Sequence, residues 1–169
     1  MPRDHQLTDL ILGESIEIHR ALGPRLFEAT YEVVLADALE QAGVRVERQF
    51  VVPIRFRGRT IAEGYRLDLL VERQVVVECK SLEKLLPVHS QQLLAYLRLG
   101  GFPIGLLLNF GEGRLMDGVK RLVNNYRPTD STLRINGPLP DAPRPLALVQ
   151  VRRWLQPGTL FIAHRKPAA

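Results

Sequence analysis

The stretch YRLDLLVERQVVVECKS, Tyr65–Ser81, carries two apolar runs separated by the polar break Glu72-Arg73-Gln74. Period-two patterning and β-branched residues mark each run as a strand, and the break marks the loop of a hairpin. Closing that loop sets Val71 opposite Val75, Leu70 opposite Val76, Asp68 opposite Glu78 and Arg66 opposite Lys80. Successive side chains point to opposite faces of a strand. Leu67, Leu69, Val71, Val75, Val77 and Cys79 therefore form an apolar core face, while Asp68, Glu78 and Lys80 share the other. Two carboxylates facing each other across strands destabilise a sheet. At about 5 Å and an effective dielectric near 20 the repulsion is roughly 3 kcal/mol. A hard divalent cation offsets it well, because Mg²⁺ is held by one or two carboxylates together with water and substrate phosphate. Lys80 then reaches the same place. The competing reading is a solvated polar face, with Arg66 neutralising Asp68 and Lys80 paired with Glu78. The spacing Asp-x9-Glu-x-Lys alone does not choose between them.

Bulk properties narrow the setting. A chain of 169 residues is long enough for one domain with a proper core. The net charge of +5 is uneven: residues 1–125 hold 16 basic and 16 acidic residues, and residues 126–169 hold 7 and 2. The basicity thus belongs to the C-terminal segment and is no argument for nucleic-acid binding by the rest. The lone Cys79 excludes an intramolecular disulfide and suits a reducing cytoplasm. No apolar run approaches bilayer-spanning length, which argues against a membrane partner. His5, His19, His89 and His164 lack zinc-ligand spacing.

Working outward from the hairpin, Leu7–Leu22 has amphipathic helical spacing and ends at Leu22-Gly23-Pro24. Pro24 suits the first turn of a second helix reaching about Ala42, terminated by Gly43. From Val44 the period changes to two, with a turn at Arg57-Gly58-Arg59, a short strand near Thr60–Ala62 and then the hairpin itself. A third helix over about Val88–Leu99 follows Pro87, IGLLLNF (Ile104–Phe110) reads as a buried strand, and Gly118–Asn124 as a further one. Five prolines between 128 and 145 mark a loop or linker, followed by two strand-like segments. The expected architecture is α/β, with residues 1–125 as the domain and 126–169 as a proline-rich extension.

More polar groups sit in apolar helical faces. Glu28 edges the stripe of the second helix, one turn from Tyr31 and Glu32; His89, Gln92 and Tyr96 share a side of the third. For each of these a solvated or packing role is the plain alternative.

Taken together, LGPRLFEATYEVVL (22–35), YRLDLLVE (65–72), VVVECKSLEKLLPVHSQQLLAYL (75–97), IGLLLNFG (104–111) and DGVKRLVN (117–124) resemble the GxxExxY family, a branch of the PD-(D/E)XK, restriction-endonuclease-like nucleases. The resemblance implies a central mixed sheet flanked by helices and a nuclease dependent on Mg²⁺ or Mn²⁺. It implies Asp68 and Glu78 as metal ligands, aided by the Cys79 carbonyl, and Glu28 reaching the metal or a water on it. Lys80 would orient the attacking water or stabilise the transition state, with Gln92 supporting the lysine or the scissile phosphate and Tyr96 behind it; Tyr31 and His89 match the family pattern as supporting residues, with no chemical step assigned to His89. Arg25 stands where the family has glycine; arginine is compatible with a helical first turn, so the fold is expected to persist. A basic strip on the preceding strands, Arg45, Arg48, Arg55, Arg57 and Arg59, is a candidate nucleic-acid contact. The alternative is the same fold kept as a non-catalytic nucleic-acid-binding or protein-interaction module. A metal-free two-acid glycosidase is disfavoured by the lysine and by the single Trp, which lies in the extension. DNA against RNA, sequence specificity and oligomeric state, a homodimer included, are left open.

Overall fold

The computed structural model describes residues 3–124; the proline-rich extension lies outside the described residues. Helix α1 (Arg3–Leu22) and helix α2 (Glu28–Gln41) precede strands β1 (Val46–Phe56), β2 (Arg59–Val71) and β3 (Val75–Lys80). Helix α3 (Pro87–Gly100), strand β4 (Ile104–Asn109), a 3₁₀ turn (Leu115–Gly118) and strand β5 (Val119–Val123) complete the order. The strands form one sheet in chain order, β1-β2-β3-β4-β5. Its neighbours are antiparallel except for β3 and β4, which run parallel and are joined through α3. A parallel pair requires such a crossover, so the mixed α/β sheet follows from the helix between them.

Both faces of the sheet are covered. Leu69, Val71, Val75, Val77, Cys79, Leu106 and Leu108 pack against Ile11 and Ile18 of α1 and Tyr31, Leu35 and Leu39 of α2. Leu67, Leu70, Val76 and Leu107 pack with Val52 and with Leu93, Tyr96 and Leu97 of α3. This explains why β4 is buried throughout and its run Ile104–Leu108 is not alternating. It also corrects the assignment of Leu67, which lies with the α3 layer and not on the face of Leu69. Strict alternation therefore fails between Leu67 and Leu69.

Two further expectations change. The segments at 60–62 and 65–71 are one long strand, bent where the β1–β2 register shifts between Val52 and Ile54. Gly64 is required at this bend: a Cβ there would lie 1.7 Å from the Val52 carbonyl oxygen. The second helix starts at Glu28, not at Pro24, and Arg25 adopts φ of +69°. That is the left-handed region, where glycine is at ease and other residues are uncommon. The loop is held by Tyr31, whose hydroxyl donates to the Gly23 carbonyl at 2.6 Å and accepts from the Leu26 N–H at 3.1 Å. The Tyr31 ring stacks on Phe110 with centroids 4.1 Å apart. No helix of the described residues is long and apolar enough to cross a membrane.

Candidate active site

The hairpin register near its loop is as read from the pattern: Val71 pairs with Val75, Leu70 with Val76 and Leu69 with Val77. There the ladder ends. Asp68 does not pair with Glu78, nor Arg66 with Lys80; instead Asp68 Oδ2 accepts the Cys79 backbone N–H at 2.9 Å. The side chain takes an N–H that the continued ladder would have given to a backbone carbonyl. On its other edge β2 also skips a step, passing from Arg48–Leu69 to Phe50–Leu67 without joining Gln49 to Asp68. Asp68 therefore sits where both neighbouring ladders release the strand.

Glu78 and Lys80 follow on β3. Lys80 Nζ donates to Glu78 Oε1 at 2.8 Å, and both side chains are largely buried. The other oxygen, Glu78 Oε2, is buried with no hydrogen-bond partner among the described residues. Such an atom is costly unless something positive or donating meets it. Among the described residues no ion pair joins Arg66 to Asp68, so that part of the solvated-face reading fails. The Lys80–Glu78 pairing it expected is present, but inside the protein and not in solvent.

The electrostatics follow from this crowding. Burial, reinforced by the Glu78 charge, pushes the Asp68 carboxyl up to about 7, against the opposing Cys79 N–H and Lys80. Burial also raises Glu78, although the Lys80 hydrogen bond opposes it. For Lys80 burial works downward, but the bond and charge of Glu78 outweigh it and leave its pKa raised. Lys80 is thus an ammonium across the neutral range. Burial raises the Cys79 thiol well above its ordinary value, and the side chain lies in the core, so it is no nucleophile.

Helix α2 supplies two more acids. Glu28, its first residue, accepts the Ser81 backbone N–H at 3.1 Å and so reaches the end of β3. Glu32, one turn on, is buried and accepts from Arg48 Nε at 3.1 Å and Gln49 Nε2 at 2.7 Å. The charge of Glu32 contributes to raising both Asp68 and Glu78. Sequence reasoning gave Glu32 no role; its position four residues after Glu28 was the available signal. Asn109 was missed as well. Fully buried, it accepts from Leu82 N–H at 2.8 Å and donates to the Leu82 carbonyl at 2.9 Å, fixing the loop that leaves Lys80.

The remaining candidates divide. Gln92 donates to the Tyr96 hydroxyl, not to Lys80. Tyr96 tilts against Tyr65 at 5.1 Å; burial raises its pKa, and it senses the charges of Glu78, Lys80 and Asp68. His89 caps α3: its Nδ1 accepts the Leu86 N–H at 3.0 Å and its backbone N–H donates to the Leu86 carbonyl at 3.1 Å. It lines a concavity of about 810 Å³ with Leu82, Glu83, Lys84 and Glu112, beside the loop after Lys80 but lined by neither Asp68 nor Glu78. Tyr31 serves the loop described above. Arg55, Arg57 and Arg59 lie at the tip of the β1–β2 hairpin, on its exposed end. Arg59 opens β2, so the tip stands at most about 30 Å along the bent strand from Asp68 at roughly 3.3 Å per residue.

Among the described residues no three His, Cys, Asp or Glu side chains form a ready metal cluster. The set nevertheless fits a hard cation, because Mg²⁺ keeps several waters and needs only one or two carboxylates. The unpartnered Glu78 oxygen and the mutual repulsion of Asp68 and Glu78 are what such an ion would relieve.

A mixed sheet with helices on both faces, carrying two acids and a lysine where adjacent strands part, defines the class of fold. The chain matches the PD-(D/E)XK nuclease superfamily over residues 5–122, and it belongs to that superfamily. No curated protein and no solved structure matches it.

Proposed function

We propose that the protein is a nuclease that hydrolyses phosphodiester bonds of DNA or RNA with a divalent metal, Mg²⁺ or Mn²⁺. The observation that carries this reading is the buried, unpartnered Glu78 Oε2 beside Lys80 and within the electrostatic reach of Asp68. Asp68 and Glu78 would hold the ion, which when bound supplies Lewis acidity to water and phosphate. Lys80, kept charged by Glu78, donates to phosphate oxygen as negative charge develops there. Glu28 is held toward the end of β3 by the Ser81 amide and adds a carboxylate at the margin of the site. Tyr96 and Gln92 form a bonded pair on α3 that senses the same charges.

The narrower GxxExxY assignment is supported by Glu28 and Tyr31 at their spacing, and by left-handed backbone at Arg25, where that branch has glycine. The arginines of the hairpin tip offer phosphate contacts away from the reacting bond.

The test incubates the protein with labelled single- and double-stranded DNA and RNA in Mg²⁺, Mn²⁺ or EDTA, beside Glu78→Ala and Lys80→Ala. Metal-dependent cleavage abolished by both substitutions is expected. Cleavage that survives EDTA, or equal activity in the variants, refutes the proposal. Binding without cleavage of any substrate establishes the non-catalytic module instead.

A further inference from the structure

Glu32 makes contacts that a regular strand would not allow. Consecutive residues of a strand send their side chains to opposite faces, yet Arg48 and Gln49 both bond the same carboxylate, one to each oxygen. They converge because Gln49 is in the left-handed region, with φ of +52°. This is the residue that stands opposite Asp68 in register, at the step where the β1–β2 ladder is interrupted. At the same residue the Asp68 carboxylate takes the Cys79 N–H.

We infer that Glu32 is a positioning residue: by anchoring the Arg48–Gln49 bend from helix α2, it holds β1 out of register contact with Asp68 and aims that carboxylate at β3. Helix α2 then acts on the site twice, through Glu28 at the end of β3 and through Glu32 on the Arg48–Gln49 bend of β1. A left-handed glutamine is not self-sustaining, since non-glycine residues occupy that region only where surroundings over-determine it. Glu32 is fully engaged and buried, so it is the surrounding that does so. The inference rests on the reading of Asp68 as a site carboxylate, but its geometry can be read out without activity.

The experiment measures amide hydrogen exchange along β3 by NMR in the metal-free full chain, with Mn²⁺ affinity measured separately by titration calorimetry. In Glu32→Ala, and in the gentler Glu32→Gln, the Cys79 amide is expected to exchange at least about tenfold faster while Val76 and Val77 stay protected. Mn²⁺ affinity is expected to fall by about 10–100-fold, the usual effect of losing a partner that orients a ligand. Adding Gln49→Gly to Glu32→Ala restores Cys79 protection, because glycine holds the bend without an anchor. Unchanged Cys79 exchange, or equal loss of protection along all of β3, overturns the inference; the second result marks a merely structural role. If Glu32→Ala does not fold, Glu32→Gln decides. If the wild-type protein neither binds Mn²⁺ nor cleaves, the nuclease proposal fails, and the Cys79 readout still decides the role of Glu32.

Discussion

Replacing Asp68 by asparagine separates what the site costs the fold from what it gives the chemistry. Burial and the Glu78 charge lift the Asp68 carboxyl from 3.8 to about 7, so at neutral pH and above the folded protein holds this group ionised against its preference. A shift of about three units at 1.36 kcal/mol each corresponds to about 4 kcal/mol, an upper figure for a group that still meets some solvent. The sign follows from linkage. A carboxyl raised in the folded state contributes stability that is fully present below its unfolded pKa and is lost as pH rises through the folded pKa. The metal-free wild type should therefore lose stability between about pH 4 and pH 7 on account of this group. The substituted amide is neutral throughout and can still accept the Cys79 N–H through its oxygen. Urea unfolding of metal-free protein at pH 4.5, 6 and 8 should show Asp68→Asn gaining relative to wild type as pH rises, by about 2–4 kcal/mol at pH 8. The same substitution should abolish cleavage. A stability difference independent of pH, or a variant less stable than wild type at pH 8, would refute the account of Asp68 as a strained, buried carboxylate.

Other consequences are equally direct. Mn²⁺ affinity measured by calorimetry should strengthen from pH 5.5 to pH 8, because the proton on Asp68 competes with the ion; a flat profile removes Asp68 from the ligand set. Lys80→Met keeps the stem volume and should lower kcat/KM by at least about a hundredfold in the cleavage assay. It should also destabilise the fold increasingly as pH rises, since Glu78 is left buried without its ammonium partner. Gly64→Ala places a methyl group 1.7 Å from the Val52 carbonyl oxygen and should cost about 1–3 kcal/mol in urea unfolding, with the hairpin displaced. Arg25→Gly relieves the left-handed backbone and should stabilise the protein by up to about 1 kcal/mol in the same assay, the Arg25–Gly111 contact at 3.5 Å being too long to offset it.

The acid–acid–lysine group was legible because each member breaks an apolar run, and a polar residue in a buried strand needs a reason. Its geometry was not. Period-two reasoning assumes that a ladder, once begun, continues; it placed Asp68 opposite Glu78 and Leu67 beneath Leu69, and both placements fail at the same residue. Glu28 was visible as an acid at the edge of an apolar stripe, but its target, the Ser81 amide, lies on a distant segment. His89 and Gln92 were found as polar helix residues, and only their partners show that one caps a helix and the other bonds Tyr96.

Local pattern was enough for the helix spans to within a few residues, the hairpin register beside its loop, the fully buried β4 and the residue types gathered at the site. Periodicity, turn chemistry and the need to bury apolar surface act over a few neighbouring residues, so they are written in the chain itself. Where the ladders stop, which way the Asp68 carboxylate turns, and why Arg25 and Gln49 hold left-handed backbone came only with the packed molecule. Those depend on helix α2 pressing against strands far along the chain, and a contact between distant segments leaves no period in either one.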